Sequence, residues 1–258
     1  MNRSEAEDLL EFAGKLADIA RRIALEHFRS TSQFERKSDE SPVTIADKAI
    51  ENAMRSAIAE RYPAHGIYGE EAGRTSGQAG TWVLDPIDGT KSFITGIPLF
   101  GALIAFLETD TPQIGVIDIP ALGERWVGSS GGTFLNGRPA RASACTELAD
   151  ARVSTTSPEF FRSEQDWLRF DRMSRSAAIR RFGGDCYQYG LLASGHLDLV
   201  VEDTLQPYDY LALVPVIENA GGVITDWEGR RLTIDSGERI VAAATPRLHE
   251  QALTALRS

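Results

Sequence analysis

Trp82-Val83-Leu84-Asp85-Pro86-Ile87-Asp88-Gly89-Thr90-Lys91-Ser92-Phe93 reads as a short apolar strand that runs into an acidic turn. The strand delivers Asp85 at its end, and Pro86, which has no N–H to donate, stops the ladder there. Asp88 follows after one turn, Gly89 lets a ligand approach the backbone closely, and Thr90 sets a hydroxyl beside the two acids. Two carboxylates so placed repel each other unless a cation lies between them. Hard oxygen donors of this kind suit Mg²⁺, Mn²⁺ or Ca²⁺. No histidine or cysteine is near enough in sequence to favour zinc. Asp and Gly also populate turns that bind nothing, so the segment gains weight only from its surroundings.

Two further acidic turns lie on either side. Ile67-Tyr68-Gly69-Glu70-Glu71 sets a pair of acids just after a short strand. Gln206-Pro207-Tyr208-Asp209 sets Asp209 in the first turn of a helix, where the positive end of the dipole favours a carboxylate. Around them the pattern is mixed. Apolar residues at helical spacing predict a helix over residues 4–28, and residues 29–42 read as a polar loop or hairpin. Thr44 is read as the cap of a second helix that carries Asp47 in its first turn and ends before Pro63. Strands are predicted at residues 82–84, 99–107, 113–119 and 125–128, with a hairpin tipped by Asn136-Gly137.

Beyond residue 140 strands and helices alternate. Strands are predicted at 151–155, 178–181, 197–201, 223–225 and 240–244, and helices at 163–173, 186–193, 207–220 and 246–256. The shift divides the chain into an N-terminal α+β half, residues 1–138, and a C-terminal α/β half, residues 139–258.

Composition narrows the function classes. The 258 residues are 42% hydrophobic and 25% charged, the balance of a folded globular protein. Asp and Glu outnumber Lys and Arg 37 to 27, a net charge of −10, which argues against a nucleic-acid surface. Two cysteines, Cys145 and Cys186, cannot build a disulfide framework and suit a reducing cytoplasm. The N-terminal stretch is acidic and has no apolar core of a signal peptide. The longest nearly apolar stretch, residues 97–107, is about half of what a membrane helix needs, so no membrane span is expected.

Taken in order, Gly69-Glu70-Glu71, Asp85-Pro86-Ile87-Asp88-Gly89-Thr90, Pro207-Tyr208-Asp209 and Glu218-Asn219-Ala220-Gly221-Gly222 resemble the inositol monophosphatase family of Mg²⁺-dependent, lithium-sensitive phosphatases, over nearly the whole chain. Lys91 in the Asp-Gly-Thr-Lys-Ser-Phe run, Tyr208 and the Gly184-Asp185-Cys186-Tyr187 stretch look most like its histidinol-phosphate phosphatase branch. The resemblance implies a layered αβαβα sandwich and a homodimer. It also implies a metal site of Glu70, Asp85, the Ile87 carbonyl, Asp88 and Asp209 holding two or three Mg²⁺, with Mn²⁺ as a substitute. Glu70, Thr90 and Asp47 match the residues that hold the nucleophilic water, and the Gly89 and Thr90 amides match the phosphate cradle. Asp185 and Glu202 match positions near the leaving group.

The implied reaction is hydrolysis of a small phosphate monoester by metal-activated water, with L-histidinol phosphate the leading substrate and histidine biosynthesis the setting. An inositol-1-phosphate or broad-range sugar phosphatase is the rival of the same class. A nucleotide 3′-phosphatase would need a base-stacking pocket that the sequence does not locate. A non-catalytic metal-dependent binding protein is the rival of another class, and it would have no use for Asp47, Glu70 and Thr90 together. His27, His65, His196 and His249 are scattered outside the acidic motifs and are assigned no catalytic role.

Overall fold

A computed structural model describes residues 3–30, 34–36 and 42–257. The first helix, α1 (Arg3–His27), is amphipathic and buries Leu9, Leu16, Ala20 and Ile23. Strands β1 (Phe34–Arg36) and β2 (Pro42–Thr44) pair antiparallel within the stretch read as a loop or hairpin. Helix α2 (Ile45–Arg61) follows directly. The side chain of Thr44, read as its cap, lies outside the described residues. Next come β3 (Gly66–Gly69), β4 (Gly73–Thr75), β5 (Thr81–Asp88), the short α3 (Thr90–Thr95), β6 (Gly101–Glu108), β7 (Thr111–Ile119), β8 (Glu124–Ser129), β9 (Gly132–Leu135) and β10 (Arg138–Ala140). The described residues of this part form an eight-stranded sheet in the order β10-β9-β8-β7-β6-β5-β3-β4.

The chain continues through β11 (Arg152–Thr155), α4 (Glu164–Arg175), β12 (Ile179–Phe182), α5 (Tyr187–Ala193), β13 (Leu199–Glu202), α6 (Pro207–Tyr210), α7 (Leu213–Glu218), β14 (Val223–Asp226), β15 (Ile240–Ala243) and α8 (Pro246–Arg257). Its five strands form a second sheet in the order β12-β11-β13-β15-β14.

Three apolar cores bind the layers together, the middle one on both sides of its helices. One lies between α1–α2 and the first sheet and contains Leu16, Ile50, Trp82 and Ile104. The middle core joins the other face of that sheet to α5, α6, α7 and the second sheet through Leu103, Trp126, Tyr189, Tyr210 and Val200. The third lies under α4 and α8 and contains Phe170, Leu199, Val241 and Leu248. The result is a mixed α/β fold whose two sheets are flanked by helices on every face, the αβαβα order the resemblance implied. The middle core is tight because glycines let the layers touch: a Cβ on Gly115 of β7 would lie 2.0 Å from the Ala212 carbonyl oxygen, at the start of α7. A buried ion network ties α1 to the sheet, since the fully buried Asp118 accepts from Arg21 Nη2 and Arg125 Nε at 2.6 Å each. No helix of the described residues is long and apolar enough to cross a membrane.

Two expectations need correction. Pro86 does not end its strand: β5 runs to Asp88, with a register shift between Asp85 and Asp88 against β6. The bulge takes up the missing proline donor, so the ladder resumes two residues later. The helix read over residues 207–220 is two helices, α6 and α7, broken at Leu211-Ala212. Pro215 has no N–H to bond the Leu211 carbonyl, which weakens a continuous helix at that point.

Candidate active site

The bulge in β5 shapes the site. Asp85 stands before it and is 1% exposed, and Asp88 stands after it at the strand end. Gly89 follows with φ 80° and ψ 40°, a left-handed conformation that turns the chain into α3. A side chain would be strained there by its backbone, and a Cβ would come within 2.9 Å of the Asp185 carboxyl carbon. Asp209 arrives from the second half of the chain on α6. Its Oδ2 accepts the Gln206 backbone N–H at 2.7 Å in a capping box, and Pro207 at the first position pre-sets the helix. These two local devices bring one oxygen each of Asp85, Asp88 and Asp209 within 4.8 Å of one another.

The cluster is electrostatically costly without a cation. Burial pushes the Asp85 carboxyl well above its ordinary range, and the charges of Glu70, Asp88, Asp209 and Asp47 push the same way. Asp88 is raised by burial and by Asp185 and Asp209, against a backbone hydrogen bond from Cys186 N–H at 2.6 Å. Asp209 is pushed up to about 7 by burial and by Glu70. Asp85 Oδ1 is buried and has no hydrogen-bond partner among the described residues. A buried carboxylate oxygen without a donor is expensive, and a divalent cation is the partner that removes both the repulsion and the vacancy in its bonding. The donor set is all oxygen, as Mg²⁺ or Mn²⁺ requires.

The other residues singled out in the sequence fall around this cluster. Asp47 is buried in the first turn of α2 and acts on Asp85 through its charge. Glu70 follows β3, its N–H donates to the Leu84 carbonyl at 3.2 Å, and its charge reaches both Asp85 and Asp209. The Thr90 hydroxyl donates to the Ile87 carbonyl at 3.1 Å. A hydroxyl has one proton, so donating to Asp47 instead would require the Thr90 O–H to turn.

Asp185 has φ 45° and accepts from Ser92 Oγ at 2.6 Å, so a loop of the second half sits against α3 of the first. Cys186, the next residue, flanks the start of α5, which has no side-chain cap. Burial raises the Asp185 carboxyl, and Ser92 and Lys91 partly offset this. Glu202, at the end of β13, accepts from the Tyr189 hydroxyl at 3.0 Å and the Thr156 N–H at 3.1 Å, and burial pushes it up to about 7. Among the described residues neither Asp185 nor Glu202 forms a salt bridge with Lys or Arg.

Several contributors were not legible in the sequence. Tyr189 and Thr156 hold Glu202 from outside any motif, while Ser92, inside the Asp-Gly-Thr-Lys-Ser-Phe run, holds Asp185, a contact the run does not announce. Lys91 lies at the rim, 3.7 Å from the Glu159 carboxylate and over the Phe160 ring.

A sequence model described as the inositol monophosphatase family matches residues 5–258. The chain is 45% identical over 267 residues to the chloroplastic bifunctional phosphatase IMPL2 of Arabidopsis thaliana, covering 99% of this chain and 77% of that protein. It is 39% identical to a histidinol-phosphatase of Chlorobaculum parvum, covering 91% of each. Among solved structures, an inositol monophosphatase from Zymomonas mobilis superposes with a TM-score of 0.90 at 42% identity, covering 99% of this chain and 100% of that one.

Proposed function

Because the chain belongs to the inositol monophosphatase family, a family of Mg²⁺-dependent phosphoric monoester hydrolases, we propose that it hydrolyses L-histidinol phosphate to L-histidinol and phosphate. The observation that carries the substrate choice is the seat of Asp185. It packs against Gly89 and accepts from Ser92 at the start of α3, and it and Glu202 carry no Lys or Arg salt bridge among the described residues. Histidinol phosphate presents an ammonium and an imidazole to such acids, whereas an inositol phosphate offers only hydroxyls. The histidinol-phosphatase name of the Chlorobaculum relative supports the same reading.

In this reading Glu70, Asp85, the Ile87 carbonyl, Asp88 and Asp209 hold two or three Mg²⁺ ions, with Mn²⁺ as a substitute. When bound, such ions supply positive charge that offsets the phosphate dianion and makes water more acidic. Glu70, Thr90 and Asp47 hold the attacking water in line with the scissile bond. The Gly89 and Thr90 amides receive the phosphate oxygens as the chain turns into α3. Residues 1–138 and 139–258 act as two lobes with the site between them, the second contributing Asp209, Asp185 and Glu202. We further propose a cytoplasmic homodimer, the cytoplasm on the two free thiols Cys145 and Cys186 and the dimer on the family resemblance.

Phosphate release tests the substrate choice. Purified protein with Mg²⁺ is offered histidinol phosphate, inositol 1-phosphate, fructose 1,6-bisphosphate and 3′-phosphoadenosine 5′-phosphate. The highest kcat/KM is expected with histidinol phosphate. A preference for inositol 1-phosphate, in keeping with the name of the Zymomonas neighbour, overturns it. No turnover of any of the four favours a binding protein.

A further inference from the structure

We propose that Glu51 is a positioning residue for Glu70, a role that rests on the reading of Glu70 as part of the metal and water site. Glu51 lies on α2 one helical turn after Asp47. An acid in mid-helix is ordinarily solvated, yet Glu51 is 1% exposed. Both of its oxygens are engaged. Oε1 accepts from Arg55 Nε at 2.7 Å and from the Ala72 N–H at 2.9 Å, and Oε2 accepts from the Glu71 N–H at 2.7 Å. Arg55 extends the grip, donating to the Gly73 carbonyl and to the Thr75 hydroxyl.

Buried Glu51 and half-buried Arg55 therefore hold the backbone on the C-terminal side of Glu70. On the other side, Gly69 lies against the same carboxylate, and a Cβ there would fall 2.4 Å from Oε1. Glu70's own N–H is fixed to the Leu84 carbonyl, the residue before Asp85. Glu70 is thus held between α2 and β5, and one face of α2 carries both Asp47 and the clamp. A buried charge is a costly way to hold a turn when packing alone would serve. Two charge-assisted backbone bonds fix direction as well as place, which a side chain aimed at a cation or a water needs.

Glu51→Gln tests this, because an amide turns one acceptor into a donor facing a backbone N–H. At saturating Mg²⁺, kcat is expected to fall about 30-fold with the substrate KM within about threefold, and Mn²⁺ binding to the metal-free chain to weaken about tenfold. Ile58→Ala, two turns further along α2 and fully buried, lowers the melting temperature and is expected to leave kcat and Mn²⁺ affinity within about twofold. Glu51→Gln that melts lower yet keeps kcat and Mn²⁺ affinity overturns the proposal. If that variant does not fold, Gly69→Ala, which displaces the carboxylate without removing a charge, is read by the same criteria. In the wild-type protein the Glu71 and Ala72 amides are expected to exchange hydrogen only on global unfolding, and fast exchange overturns the clamp whatever the variants do. Should the wild type hydrolyse no phosphate monoester, the proposed function fails, while Mn²⁺ binding and amide exchange still decide the role of Glu51.

Discussion

Asp88→Asn is expected to lower kcat/KM for phosphate release by at least about a thousandfold, or about 4 kcal/mol of transition-state stabilisation, and to leave the chain folded. The carboxylate sits at the end of β5 beside Asp85 and Asp209, and the charge it contributes is what a cation at that point would bind. The asparagine Oδ1 still accepts the Cys186 N–H, so the bond that orients the side chain survives. Stability in the absence of metal should rise. The folded state raises the Asp88 carboxyl through burial and the nearby Asp185 and Asp209 charges, so ionising it at neutral pH costs folding energy. A neutral side chain removes that cost. Thermal melting without metal and steady-state phosphate release separate the two effects. A folded Asp88→Asn protein with near-normal activity would rule out the ligand assignment.

Asp185→Asn is expected to be the most discriminating substitution. It should lower kcat/KM for histidinol phosphate about a hundredfold, roughly the worth of one charge-assisted hydrogen bond, and change that for inositol 1-phosphate less than about threefold. The backbone at Asp185 has φ 45°, a conformation that asparagine tolerates as well as aspartate does, so the loop is not strained by the exchange. The amide oxygen can still accept from Ser92, which keeps the contact between the second half and α3. What is lost is the negative charge that the proposed function sets against the substrate ammonium or imidazole. Equal losses with both substrates would assign Asp185 a structural role.

Much of the architecture was legible because local chemistry and tertiary packing agree. The apolar spacing of α1, the positive-φ pair Asn136-Gly137 between β9 and β10, and the helix read from residue 163 each follow from a short-range rule, and the structure keeps them, with α4 starting one residue later behind Ser163 as its N-cap. Reading failed where a longer-range contact overrode the local signal. Pro86 marks a strand end only if the ladder cannot bulge, and pairing with β6 on both sides makes the bulge worthwhile. The run over residues 207–220 has a helix's start and stop signals, yet the close seat of Ala212 on Gly115 and the proline at 215 divide it.

The site shows the same division. Asp85, Asp88 and Asp209 stand in acidic turns that sequence spacing makes conspicuous, but that Asp209 meets the other two is a property of the interface between the two sheets. Nothing in the sequence marks Glu51, although it stands four residues after Asp47 on α2. An acid at that spacing on a helix is usually solvated, and only its burial shows otherwise. Ser92 and Tyr189 likewise gain meaning only from the carboxylates they touch in space.

Asp209 meets Asp85 and Asp88 from a distant part of the chain, at a point where a divalent cation would bind. Crystals soaked in Mn²⁺ and measured near the manganese absorption edge test this most directly. Anomalous density is expected among Asp85, Asp88 and Asp209. A map with no peak there, from crystals saturated with the ion, would contradict it.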